Sequence, residues 1–476
     1  MRWLFAGLAL VVSGAAGLAQ EGGGPEPEGR DDEPAIRLQL YRWKEDYSRL
    51  ADKKEPLTAW ERLKYIPLGS APAVGPRSDL PYLSLGGDAR WRIDSYSPYF
   101  FGLGRSGRDF ASRQAHAVFH GDLHLSPYLR VFAQLDVADE NGRPAPRAFD
   151  QSAVDARQVF ADLSAPVGAG KLTLRLGRQE LSLGGTRWMA VRDPTNIRRS
   201  FDGALLEYAA TSMTLRSFAA RPVVIKPHAF DDTTATNEAF YGGYATFRNL
   251  APGGVKLDLY LLGKQLDEIA YTRGRGREER YSAGARVYGS YGAISYAFEG
   301  THQFGTFASR RISADGAAAD VGYTLGEVWG RPKFGLKAQY ASGDNPRSGV
   351  MGTFSGPYPA ASVISESSII AISNARNLQP YLQLSTPWGM WIEASWNWAW
   401  RDSLDERAYG PANVFLGPAK SRAREIAQIG QIQATWDVNP FIQIHALYSH
   451  SLAGAYLKAG GGRTMDYARA QIMARF

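Results

Sequence analysis

The chain has 476 residues, 44% of them hydrophobic and 12% aromatic, with 51 glycines, no cysteine and a formal net charge of +7. Lack of cysteine excludes a disulfide framework, thiol catalysis and any Cys-based metal site. No run of eighteen apolar residues follows the first twenty positions, which excludes a membrane-spanning helix there.

The N-terminus, "MRWLFAGLALVVSGAAGLAQ", places basic Arg2 before an apolar run from Trp3 to Val12 and a small-residue exit ending at Ala19. This predicts a secretory signal peptide over residues 1–19. Without a cysteine at the cleavage point it predicts no lipoprotein anchor. Export removes nucleic acid as a partner for the basic excess and leaves anionic lipid or an anionic substrate. Residues 20–80 read as a periplasmic segment. Its lead, Gln20 to Asp32, is rich in Gly, Pro and acids and reads as disordered. Ile36 to Leu68 carries two short helix-like stretches split by Pro56, able to plug, dock or tether.

From Tyr82 the pattern changes to period two. In "YLSLGGDARWRID", Leu83, Leu85, Ala89, Trp91 and Ile93 share one face, while Ser84, Asp88, Arg90, Arg92 and Asp94 share the other. In "WIEASWNWAWR", Ile392, Ala394, Trp396, Trp398 and Trp400 oppose Glu393, Ser395, Asn397 and Arg401. The last ten residues split the same way, with Arg469 and Arg475 opposite Ala470, Ile472 and the terminal Phe476. Alternation alone fits a soluble sandwich as well. The connectors separate the two: "LSPY", "SAPVGAG" and "STPWG" are short, and each alternates with a long one such as "LSLGGTRWMAVRDPTNIRRS". Short turns at one rim and long loops at the other predict an all-β antiparallel transmembrane barrel of about eighteen strands over residues 81–476. Two stretches resist the pattern. "AVDARQVFADL" has no clean apolar parity, and the phase of "LTLRLGRQELSLG" slips near Gly177, which suggests a bulge there. The facing of Arg157, Arg178 and Glu180 stays open.

His116, His120 and His124 share a face, but residues four apart on a strand are separated by roughly 13 Å, too far for one metal. They read as polar lining, and no metal or cofactor is expected. "TRGRGREER" reads as the solvated tip of a long loop, near lipopolysaccharide phosphates. No catalytic arrangement stands out, so the chain does not read as an enzyme. Inward parity collects Arg90, Arg92, Arg130, Arg286, Lys337, Arg401, Arg469 and Arg475, with acids such as Asp94, Asp122 and Glu393 interspersed. The long loop adds Arg198 and Arg199, and the strand "LTLRLGRQ" adds Arg175. A basic lumen favours anions, although mixed charge ladders also occur for stability alone.

At "LRLGRQELSLGGTRWMAVRDPTNIRRSFDGA" the chain resembles the alginate-export family of outer-membrane barrels. "EDYSRLADKKEPLTAWERLKYIPLG", "ASGD", "AYGPANV" and the closing "ARF" agree with it. The resemblance implies an eighteen-stranded monomeric barrel with an electropositive constriction, through which an anionic exopolysaccharide leaves the cell. A family pore arginine falls on Arg157 and an acidic loop residue on Asp193. A second family arginine corresponds to Glu180 in this chain. The expected partners are outer-membrane lipid, lipopolysaccharide, an anionic polysaccharide or solute and a periplasmic secretion partner. The alternatives are an uptake porin for small anions or sugar acids, and an outer-membrane enzyme.

Overall fold

The computed structural model describes residues 38–69, 80–104, 107–144, 147–192, 195–251 and 253–476. The signal peptide, the Gly/Pro-rich lead and Asp193 lie outside the described residues.

Eighteen long strands follow one another. The first six are β1 (Tyr82–Ser97), β2 (Phe110–Ser126), β3 (Leu129–Asn141), β4 (Ser152–Val167), β5 (Gly170–Gln179) and β6 (Phe201–Ala209). The next six are β7 (Met213–Val224), β8 (Glu238–Phe247), β9 (Lys256–Tyr271), β10 (Gly274–Tyr291), β11 (Ile294–Phe307) and β12 (Arg310–Thr324). The last six are β13 (Lys333–Ala341), β14 (Ala375–Ser385), β15 (Met390–Trp400), β16 (Glu425–Asn439), β17 (Ile442–Ala453) and β18 (Met465–Arg475). Each pairs antiparallel with its sequence neighbours, and β1 also pairs with β18, Asp88 lying opposite Arg475 and Ser97 opposite Asp466. The ring therefore has no open edge. Hydrocarbon offers no partner to a free N–H or C=O, so closure is what allows this sheet to cross a membrane. No described helix is long and apolar enough to do so.

The pleat sends alternate side chains in and out. On β1, Trp91 and Ile93 are 44% and 49% exposed, whereas Arg90 and Arg92 are 8% and 3% exposed. An apolar outside and a charged inside invert the arrangement of a soluble sandwich.

Short turns at 127–128, 168–169, 210–212, 292–293 and 440–441 share a rim with the start of β1 and with Phe476. The far rim carries 180–200, 342–374 and 401–424. Two far-rim connections depart from the expectation. Residues 272–273 and 308–309 are tight turns between strands that run on past the ring. "TRGRGREER" is thus mostly strand, and Arg275 holds Glu268 at 2.8 Å in an exposed pair.

The expected bulge is displaced. Register runs unbroken through Gly177, opposite Phe160 and Gly203. Glycine is required there for another reason: φ is +128°, and a Cβ would lie 2.3 Å from the Val159 carbonyl oxygen. The bulge is in β4, where Gln134 faces Gln158 and Leu135 faces Ala156, leaving Arg157 as the extra residue. Inward parity switches across it. Asp155 and Arg157 are buried before the switch, and Gln158, Phe160 and Asp162 after it. That switch is why no single parity of this strand is apolar.

The barrel contains its own apolar core. Loops 180–200 and 342–374 fold inward and meet: the Ala190 amide donates to the Tyr358 carbonyl at 2.9 Å, and the Tyr358 amide to the Trp188 carbonyl at 3.0 Å. Leu181, Leu183, Trp188, Phe354, Ile369 and Ile370 bury against the inward wall residues Phe240, Tyr244 and Tyr260. Each such side chain contributes about 2 kcal/mol when taken from water.

The N-terminal segment packs inside the mouth at the rim of the termini. Its helix α1 (Ala59–Lys64) begins with a capping box, Thr58 and Glu61 each closing the other's free amide. Tyr47, Leu50 and Tyr65 bury against Tyr82 of β1. Ile66 and Pro67 then pair with Leu83 and Tyr82, leading the chain into the wall.

Candidate functional site

Strand parity puts arginine forks into the lumen, and acids from the same strand, from strands one or two away and from a connection meet them. Arg469 on β18 donates to Asp94 on β1 at 2.8 Å, and Arg92 lies 3.3 Å from the same carboxylate and also touches Gln114. Arg475 reaches Asp437 at 3.2 Å, Arg286 reaches Asp258 at 3.3 Å, and Lys337 reaches Glu393 at 3.3 Å. Arg175 holds Asp162 through two bonds of 2.7 and 2.8 Å, and Arg130 holds Asp122 through two of 2.7 Å. Arg157 spans Asp136 at 3.2 Å and Asp232 at 3.0 Å. Such planar forks suit paired carboxylate oxygens.

A second set of basic residues binds the in-folded segments. Arg90 donates to the Thr195 and Asn196 carbonyls at 3.0 and 2.8 Å, which ties the inner loop to β1. Asn196 adds a tie to the connection between β3 and β4 by donating to the Asp150 carbonyl at 2.8 Å. The Arg199 guanidinium stacks over Tyr358 at 4.5 Å, joining the two inner loops. Arg401 belongs to the far rim. It donates to the Glu406 and Ser421 carbonyls at 2.8 Å each, and its guanidinium lies 4.0 Å over Tyr456.

Three basic residues converge on the N-terminal segment. Arg198 donates to the Leu40 carbonyl at 3.0 Å and lies 3.9 Å from Glu180. Arg130 gives a further bond to the Trp43 carbonyl at 2.6 Å. Arg175 is sandwiched between Trp43, 4.5 Å away, and Phe160, 3.8 Å away. From the segment itself, Arg42 pairs with Glu45 at 2.9 Å and donates to the Phe476 carbonyl at 2.7 Å. Lys64 is fully buried and donates to the Leu85 carbonyl at 2.9 Å. Burial, with Arg42 beside it, pushes its ammonium down to about 7.

Parity thus placed Arg90, Arg92, Arg130, Arg286, Lys337, Arg469 and Arg475 on the inner face, where they lie. It missed Arg42, Trp43 and Lys64, which sit on no strand, and the inward pair Arg280–Glu278, 2.8 Å apart on β10. The signal for Arg280 was present, since it shares parity with Arg286. Of the three histidines, His116 lies 3.5 Å from Asp136, His124 lies 3.2 Å from Asp122, and His120 stacks on Phe132 at 5.5 Å, so each has its own neighbour. The acids Asp155, Asp231 and Asp232 approach one another near the far rim, but Asp155 and Asp232 are engaged with Arg178 and Arg157.

A closed, lipid-faced barrel of eighteen antiparallel strands with loops folded into its lumen defines a channel of the Gram-negative outer membrane. The chain belongs to the alginate export family, whose profile matches residues 81–471. No curated protein sequence matches it. Among solved structures it is similar to OpdO of Pseudomonas aeruginosa, with a TM-score of 0.54 and 14% identity over 83% of this chain and 97% of that one. It is likewise similar to OccAB1 of Acinetobacter baumannii, with a TM-score of 0.53 and 12% identity over 83% and 97%. OpdK of Pseudomonas aeruginosa, solved with vanillate, gives a TM-score of 0.51 and 12% identity over 82% and 98%. At such identities the likeness establishes the fold.

Proposed function

We propose that this channel passively conducts an anionic polysaccharide, a polyuronate such as an alginate-like chain, out of the cell. The rim bearing the start of β1 and Phe476 faces the periplasm, residues 1–19 are removed on export, and 20–80 form a periplasmic segment of which residues 38–69 pack at the mouth. The convergence of Arg130, Arg175 and Arg198 around one stretch of chain supports this reading, because the guanidinium N–H groups that now donate to the carbonyls of that stretch could donate to successive carboxylates. The acids between the basic residues keep a polyanion from binding too tightly to leave. Family membership supports export as the direction. The lining residues proposed for the path are the inner-face candidates named above together with Asp193.

The test is the reversal potential of the purified channel in a salt gradient, with and without a soluble oligouronate. Anion preference and reduction of the current by the oligouronate are expected, and Arg198→Ser with Arg199→Ser should weaken the preference. Cation preference in the unsubstituted protein would refute the reading. A second reading, uptake of small aromatic or sugar acids, draws on the likeness to a barrel solved with vanillate. It predicts current block by monomeric acids and indifference to the oligomer.

A further inference from the structure

The stretch from Leu40 to Trp43 occupies the arginine cluster at the mouth. Its backbone carbonyls take bonds from Arg198 and Arg130, and the Trp43 ring covers the face of Arg175. Tyr41 adds a hydroxyl bond of 3.0 Å to Ser182 at the root of the inner loop. The rest of the segment wedges against the wall. Tyr82 donates to Asp46 at 3.3 Å, and Trp60 packs edge-on to Phe441 at 4.7 Å. The segment thus offers the arginines neutral carbonyls and an aromatic face. A uronate chain would offer carboxylates and the apolar face of a sugar ring at the same places.

We propose that residues 38–65 are a plug that competes with the polymer for Arg130, Arg175 and Arg198, and that the carboxylates of an arriving polyuronate displace it. This rests on the anionic-polymer reading above and adds its regulation. A guanidinium N–H donating to a carboxylate makes a charge-assisted bond, stronger than one donating to an amide carbonyl. The polymer therefore has a differential affinity for the plug-out state, which is what shifting a two-state equilibrium requires. Arg130 and Arg175 keep their acids Asp122 and Asp162 throughout, so plug departure leaves them held in place.

Lack of any native cysteine makes a direct test simple. Leu50, within the plug, is 4% exposed and packs in the cluster that joins the plug to Tyr82 of the wall. In the full chain carrying Leu50→Cys, reconstituted in liposomes, labelling by a water-soluble maleimide reports plug departure. A hexameric galacturonate should raise the labelling rate several-fold, and maltohexaose at equal concentration should leave it unchanged. Current recorded in parallel separates the two proposals. If the galacturonate reduces current in an anion-preferring channel but leaves labelling unchanged, the plug is overturned and the function stands. If it alters neither and the channel prefers cations, both fall. A second full-length variant, Tyr41→Ala with Trp43→Ala, removes the plug's ring contacts to Arg198 and Arg175 while leaving every arginine in place. It should raise the conductance without oligosaccharide, and conductance equal to that of the unsubstituted channel overturns the plug.

Discussion

At the residue scale, Arg157 shows what the inner charges do for the wall. It is the extra residue of the β4 bulge and stands between Asp136 and Asp232, with Ser200 of the inner loop also in reach at 3.4 Å. Removing one partner of a buried pair leaves the other charge without compensation, at a cost of about 3–5 kcal/mol. Arg157→Ala should therefore lower the temperature at which the folded, fast-migrating form in detergent converts to the unfolded one. Asp136→Asn in the same chain should restore part of the loss. An unchanged conversion temperature for Arg157→Ala would count against an ion-paired bulge. Facing was legible for Arg90 and Arg469, because a regular pleat fixes direction two residues at a time. It was illegible for Arg157, since one inserted residue reverses the parity of everything after it. The acid partners were also hidden. Asp232 reaches Arg157 from a far-rim connection 75 residues further along the chain.

At the element scale, the N-terminal segment was visible as helical stretches around Pro56, and its destination was not. Its anchors come from β3, β5, the inner loop and the C-terminus, contacts that no local pattern encodes. Lys64 makes the docking of this element respond to pH. The groups around it are Arg42 and Glu45 from the segment and His120 from β2, with the rings of Tyr47 and Trp60 at 5.5 and 4.8 Å. A lysine whose ammonium is pushed from 10.5 down to about 7 favours the docked state in its neutral form. Docking is strongest above the ordinary lysine value and weakens as pH falls through the window down to about 7, below which Lys64 adds no further change. Thiol labelling at Leu50→Cys, taken relative to the rate for a free thiol at the same pH, should accordingly quicken as pH is lowered from about 10 to about 7. Lys64→Met should flatten that dependence. A slope that persists in Lys64→Met would assign it to another group.

At the scale of the whole molecule, strand number and the asymmetry of the rims were readable, because connector length records which way a hairpin turns. The inward fold of 342–374 was not. Its anchors, such as Lys264 to the Pro357 carbonyl at 2.9 Å and Arg280 to the Thr353 carbonyl at 3.0 Å, depend on walls brought together only by closure. Phe476 extends the ladder that closes the ring. The Phe476 amide and carbonyl both pair with Gly87, at 2.8 and 2.9 Å. Deleting Phe476 removes two ring-closing bonds and the terminal aromatic residue. It should lower the amount of heat-modifiable barrel recovered from outer membranes. Recovery equal to that of the full chain would show that the ring closes without it.

The bond from Arg42 to the Phe476 carbonyl joins groups 434 positions apart. Its formation has a place in time as well as in space. One partner precedes the first strand of the ring and the other follows the eighteenth. The entropic cost of joining them falls away only when the intervening strands have already drawn the two ends to one rim. That bond is consequently made late, once β18 has come round to β1. A chain arrested before β18 would still hold the segment through β1, β3 and β5 but would lack this one fastening, so the bond from Arg42 to Phe476 is also a certificate of finished assembly.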